Sequence, residues 1–270
     1  MRILLFFLLA VPLFSAEMPA RSPFVTVALT ASDIEQFGGW PIPRRWYANL
    51  IQKANASGAS AIAVDIAFIT ADPLHPESDE YFYDVLTQYP NVSILVPGIT
   101  ELNGPVTILG DKTLNPDRVF RPFSHGVAFY GERPMLTDTT ILTSKILSTY
   151  SAGGLNCIVD FPGSALTSDL SFREALTEEI SWKGKVVIIS VENPGVTSYI
   201  VSPSGQRQST TLLQVWMAQQ ILNGDFVRLL PFWEYSIIGV FCSFPLFWFG
   251  LKGRKILGAA VSTVCWILSL

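Results

Sequence analysis

Apolar positions change period repeatedly between residues 25 and 230, and each change marks an element. Residues 25–29 are apolar and β-branched, which predicts a first strand. A break rich in turn residues follows, with Gly38, Gly39, Pro41 and Pro43. Trp46, Leu50, Ile51 and Ala54 then recur at helical spacing, with Arg44, Arg45, Gln52 and Lys53 between them. Gly58 supplies the left-handed stop for that helix. Residues 59–68 form an apolar run that carries one acid, Asp65, near its end. A strand apolar on both faces is covered on both faces. Residues 70–79 read as a polar loop, 81–89 as a helix and 92–96 as a strand closed by Pro97 and Gly98. Residues 100–124, with Pro105, Pro116 and Pro122, read as an excursion from the sheet. Strands are expected at 125–130, 155–161 and 186–190, and helices at 136–150, 171–180 and 212–222. Short connections between alternating helices and strands specify an α/β fold. The expectation is one domain over 21–230, a central and mostly parallel sheet flanked by helices.

The two ends of the chain follow another pattern. Residues 232–251 carry one charge, Glu234, and as a helix would rise about 30 Å, the thickness of a bilayer's hydrocarbon core. Trp233 and Tyr235 flank one end, and Phe247, Trp248 and Phe249 the other, as membrane interfaces favour. Lys252, Arg254 and Lys255 follow, then 256–270 is uncharged again. This predicts a transmembrane helix at 231–251, a basic cytoplasmic loop at 252–255 and a second, short span at 256–270. A pair of core helices is the competing reading, and such length with polar groups only at the ends argues against it. At the N-terminus Arg2 precedes an apolar run, 3–14, and the small residues Ser15 and Ala16. Residues 1–20 are therefore a signal peptide, or a short anchor given the bulk of Phe14 near the cleavage point. Both versions export residues 21–230.

Composition narrows the function. The whole chain carries a net charge of −4, and four of its cations, Arg2, Lys252, Arg254 and Lys255, lie in the terminal segments. The exported part is more acidic still, which excludes nucleic acid as a partner. Of three cysteines, Cys242 and Cys265 fall in the expected spans. Cys157 is left alone in an apolar strand, so no disulfide holds the domain.

The order of elements resembles the type 2 CHASE domain, an extracellular sensory module of bacterial membrane receptors. Four stretches carry the likeness. One runs from Arg44, Arg45 and Trp46 to the strand with Val64, Asp65 and Phe68; another spans Gly126 to Phe129 and Arg133, Pro134 and Met135. The third is Ile158, Val159, Asp160 and Phe161 before Pro162 and Gly163; the fourth is Trp182 to Ser190, then Pro203, Gly205 and the last helix. The chain departs from the family's usual small-and-His pattern at the start of the last helix, where it has Thr210, Thr211, Leu212, Leu213 and Gln214. The resemblance implies a sensory, non-enzymatic domain on the outer side of the cell membrane. Its implied partners are the lipid bilayer, a small-molecule or periplasmic protein ligand, a second copy in a homodimer and an output protein on a separate chain. The chain is expected to lack a cytoplasmic output domain of its own.

Chemistry-bearing residues are few. Asp72, His75, Glu77 and Asp79 cluster in one segment and have donor types suited to a divalent ion. Acids ahead of a helix also complement its positive end, and that reading is preferred, so no metal or other cofactor is expected. No Gly-x-Ser-x-Gly elbow and no phosphate loop occurs. Asp65 and Asp160 both end expected strands, at the sheet edge where α/β folds bind ligands. An Asp that ends a strand more often caps the turn or helix after it, which is the competing reading for both. Arg133 can pair with one of them, meet an anionic ligand, or equally be a surface residue. These three are the candidate ligand-binding residues. The competing function is a membrane-anchored envelope hydrolase with Asp65 or Asp160 as its base.

Overall fold

The computed structural model describes residues 22–96, 105–120, 128–130, 133–136, 157–159, 162, 165–193, 195–197, 199–201, 205, 207–228 and six positions between 239 and 248. In chain order the first elements are β1 (Phe24–Thr30), α1 (Ala31–Gln36), α2 (Arg45–Ala56), β2 (Ala61–Ala67), α3 (Pro76–Gln88) and β3 (Val92–Leu95). Next come β4 (Val106–Ile108), β5 (Lys112–Leu114), a 3-10 turn (Pro116–Arg118), β6 (Val119–Phe120), β7 (Ala128–Tyr130), β8 (Arg133–Leu136) and β9 (Cys157–Val159). The last are β10 (Leu170–Ser171), α4 (Phe172–Thr177), β11 (Val186–Glu192), β12 (Tyr199–Val201), β13 (Arg207–Ser209), α5 (Thr210–Asn223) and β14 (Phe226–Arg228).

Six strands form one parallel sheet in the order β10-β1-β11-β2-β3-β6, which bears out the mostly parallel α/β sheet. The crossovers from β1 to β2, β2 to β3 and β10 to β11 all step the same way along this order. A right-handed crossover then puts every intervening helix on one face. Alternation along the strands records it. Val27, Leu29, Ile62, Val64, Ile94, Val187 and Ile189 point to one face and join the main core. There they meet Tyr47, Leu50 and Ile51 of α2, Phe82 and Leu86 of α3 and Phe172 of α4. Tyr47 packs edge-on against both Phe68 and Phe172, each at 5.3 Å. Each such buried ring or aliphatic side chain contributes about 1.5–3 kcal/mol.

The opposite face carries the larger Phe24, Val186 and Ile188 and, around them, the small buried residues Thr26, Ala28, Ala61, Ala63, Ser93 and Ser190. Small side chains let a helix approach closely, and α5 contacts β1 there. It contacts β9 as well, so it is buried at Leu213, Met217 and Ala218 and also at Thr211 and Leu212.

Local chemistry sets the boundaries. Thr30 and Asp33 form a reciprocal cap at the start of α1, and Ser171 and Glu174 do the same for α4. Gly58 has a φ of 87°. A side chain there would meet the Lys183 backbone at 3.4 Å, while the Gly58 carbonyl accepts from the Gly184 N–H at 2.9 Å. Glycine lets the end of α2 dock on that turn.

Several expectations are corrected. The helix expected to start at 81 begins at Pro76, since proline fits the first helical position, where its missing N–H has no partner to lose. The 100–124 excursion holds a hairpin, β4 with β5, and then returns β6 to the sheet beside β3. The strands expected at 125–130 and 155–161 leave the parallel sheet: β14, β9, β8 and β7 form a separate antiparallel sheet. Its pairing depends on β8 and β14, which were not foreseen as strands. Residue 171 caps its helix, which ends at Thr177 rather than 180.

The helix expected at 136–150 lies outside the described residues beyond position 136, which belongs to β8. Residues 1–20, 252–255 and 256–270 lie outside them too, as does most of 231–251. Positions 239–240, 243–244 and 247–248 are helical. Among the described residues no helix is long and apolar enough to cross a membrane.

Candidate functional site

The C-terminal ends of the parallel strands define one edge of the sheet. Over it lies a cavity of about 520 Å³. Asp65, Ile66 and Ala67 end β2 and form part of its wall; Leu95 ends β3 and Val191 nearly ends β11. Val196, Thr197, Tyr199 and Ile200 follow β11, and Trp40 comes from the connection between β1 and α2. The first turn of α5 supplies Thr210, Thr211 and Gln214. Strand ends, loops and one helix terminus thus converge where an α/β sheet exposes its ligand edge.

β2 is interrupted here, with an irregular pairing to β3 between Val64 and Ala67. Ile66 keeps to the main core, whereas Asp65 turns to the face shared with α5. The Thr211 hydroxyl donates to the Asp65 carboxylate, which therefore lies at the N-terminal turn of α5. Burial pushes the Asp65 carboxyl above the ordinary carboxylate range, and the Thr211 hydrogen bond works against it. No ion pair forms with Asp65 among the described residues. The loop after β11 is held by Thr197, whose hydroxyl donates to the Val191 carbonyl and accepts from the Asn193 N–H at 2.9 Å. Glu192, half-buried at the end of β11, is also raised, first by burial, against a hydrogen bond from Ser168. One Glu192 oxygen and the Ser190 hydroxyl are buried without a partner among the described residues.

Of the three residues singled out from sequence, Asp65 lines the cavity. Arg133 opens β8 in the antiparallel sheet, and its side chain lies outside the described residues. Asp160 lies outside them as well. It follows β9, which belongs to the antiparallel sheet rather than to the ligand edge. Trp40, Tyr199 and Thr211 escaped the sequence reading. Trp40 lies in the turn-rich break after the first strand, a position that α/β topology carries to the ligand edge.

The cluster of Asp72, His75, Glu77 and Asp79 has a structural use. Asp79 pairs with Arg44 and accepts from the Asp72 N–H at 2.6 Å. Arg44 also donates to the Thr70 carbonyl, so this ion pair joins the starts of α2 and α3 to the connecting loop. Among the described residues no group of three or more His, Cys, Asp or Glu side chains is placed to hold a metal ion.

No curated protein and no solved structure matches the chain. The family model for the CHASE2 domain matches residues 5–250, most of its length. The resemblance carried by the four ordered stretches is thereby shown, and the chain belongs to the CHASE2 domain family, whose members are extracellular sensory domains.

Proposed function

We propose that the chain is the extracytoplasmic sensory part of a bacterial receptor in the cell membrane, anchored by residues 231–251 and 256–270. A small-molecule ligand enters the cavity at the sheet edge. One observation carries this reading: α5 reaches the cavity with its first turn and leads through β14 to the apolar C-terminal segment. Anything that alters the packing of Thr210, Thr211 or Gln214 acts on the helix that β14 alone separates from the membrane anchor. A small shift or rotation of α5 is the natural means of transmission, since packed helices move as units. The response is passed to an output protein at the membrane, and pairing of two copies gives that movement a partner to act on.

Binding is tested by thermal shift of the full chain against a panel of small metabolites. A ligand at a hundredfold its Kd stabilises by about 2.7 kcal/mol. Stabilisation by at least one compound, lost in Ala67→Trp, supports the reading; a panel that never moves the midpoint counts against it. Alkaline phosphatase fused after Gly205 should be active in whole cells and inactive after Arg254; the reverse pattern sinks the topology.

A further inference from the structure

The cavity's chemistry, taken with the sensory reading on which this step rests, narrows the ligand. Asp65 is the acid among the residues that line it, and no Lys, Arg or His lines it among the described residues. Among the described residues an anionic ligand would therefore meet a carboxylate with no lining cation. The positive end of α5, elsewhere an anion site, already faces the protein's own carboxylate through Thr211.

Two aromatic residues stand at the opening. Trp40 is 40% exposed and Tyr199 39% exposed, and both line the cavity. Most of the remaining wall is aliphatic. A carboxylate held largely out of water, with no counter-charge beside it among the described residues and with exposed rings next to it, is complementary to a positive charge on an apolar body. A hard metal ion fits poorly, because it asks for several oxygen ligands and finds one carboxylate. We propose that this cavity binds a small organic cation, an amine or ammonium with an apolar body, its charge on Asp65 and its body against Trp40 and Tyr199.

The test uses the full chain at pH 8 and matched probes that differ in charge alone. Tryptamine, tryptophol and indole-3-acetate form one set; hexylamine, hexanol and hexanoate form a second. Titration calorimetry should find at least one amine bound about tenfold or more tighter than its alcohol, with the matching acid not bound. Asp65→Asn should erase that preference and leave alcohol binding within about twofold, which also reports an intact cavity. Trp40→Ala, at an exposed position, should weaken the amine more than the alcohol. Equal binding of amine and alcohol, or preference for an acid, overturns the cation and leaves the sensory reading in place. Binding of no member of either set overturns the cation proposal, while the metabolite panel still decides the sensory reading by itself.

Discussion

Asp79→Ala offers the sharpest check on how the helices that cover the main core are held. The Arg44 and Asp79 side chains are 12% and 7% exposed, so their pair is largely out of water. Arg44 also lies 5.7 Å from the centre of the Phe68 ring. Truncating Asp79 leaves the guanidinium with the Thr70 carbonyl and strips the Asp72 N–H of its acceptor. Removing one partner of a buried pair costs about 3–5 kcal/mol. The residual exposure of Arg44 and its remaining carbonyl partner place this case near the lower end, about 3 kcal/mol. In a domain of this size that is a fall of about 6–12 °C in Tm. Asp79→Asn keeps an acceptor for one of the two donors, which bond to different carboxylate oxygens, and should cost less than the truncation, about 1–3 kcal/mol. The double variant Arg44→Met with Asp79→Leu removes both charges together and should stay within about 1 kcal/mol of the parent. Urea unfolding followed by circular dichroism, with a common slope across the series, measures all three. A loss below about 1 kcal/mol in Asp79→Ala, or a double variant as unstable as the single one, would refute the reasoning.

Three further expectations follow from the same geometry. Asp65 and Glu192 hold their protons more tightly folded than unfolded, so the folded state binds more protons in the window just above the ordinary carboxylate range. Their contribution is present below that range and is lost as pH rises through it; Asp65→Asn should flatten the stability profile there, and an unchanged slope would contradict the burial of this carboxyl. Ala28→Leu places bulk on the small-residue face of β1 that α5 contacts and should cost about 1–3 kcal/mol in urea unfolding, whereas a neutral effect would mean α5 does not pack there. Ser171→Ala removes the cap of the six-residue α4 and should cost about 1 kcal/mol by the same assay.

Sequence alone determined what depends on near neighbours. The apolar run around Asp65 announced a strand covered on both faces, and 186–190 did the same for β11. Helical spacing found α2, and Gly58 marked its end, because cap and period are properties of a few consecutive residues. The ordered set of four stretches, with the apolar segments behind it, carried the likeness to the family that the family model shows. What only the tertiary structure decided involves groups far apart along the chain. Thr211 lies 146 residues from the Asp65 it meets, and Asp169 lies 143 from the Thr26 whose N–H and hydroxyl donate to it. The placement of β9 in an antiparallel sheet depends on pairing with β8 and β14, not on its own apolar pattern. A strand's side chains specify that it is buried without specifying its neighbour, since every backbone offers the same hydrogen-bonding groups. The ligand edge became a cavity only when α5, on the face opposite the other helices, brought its first turn to the end of β2.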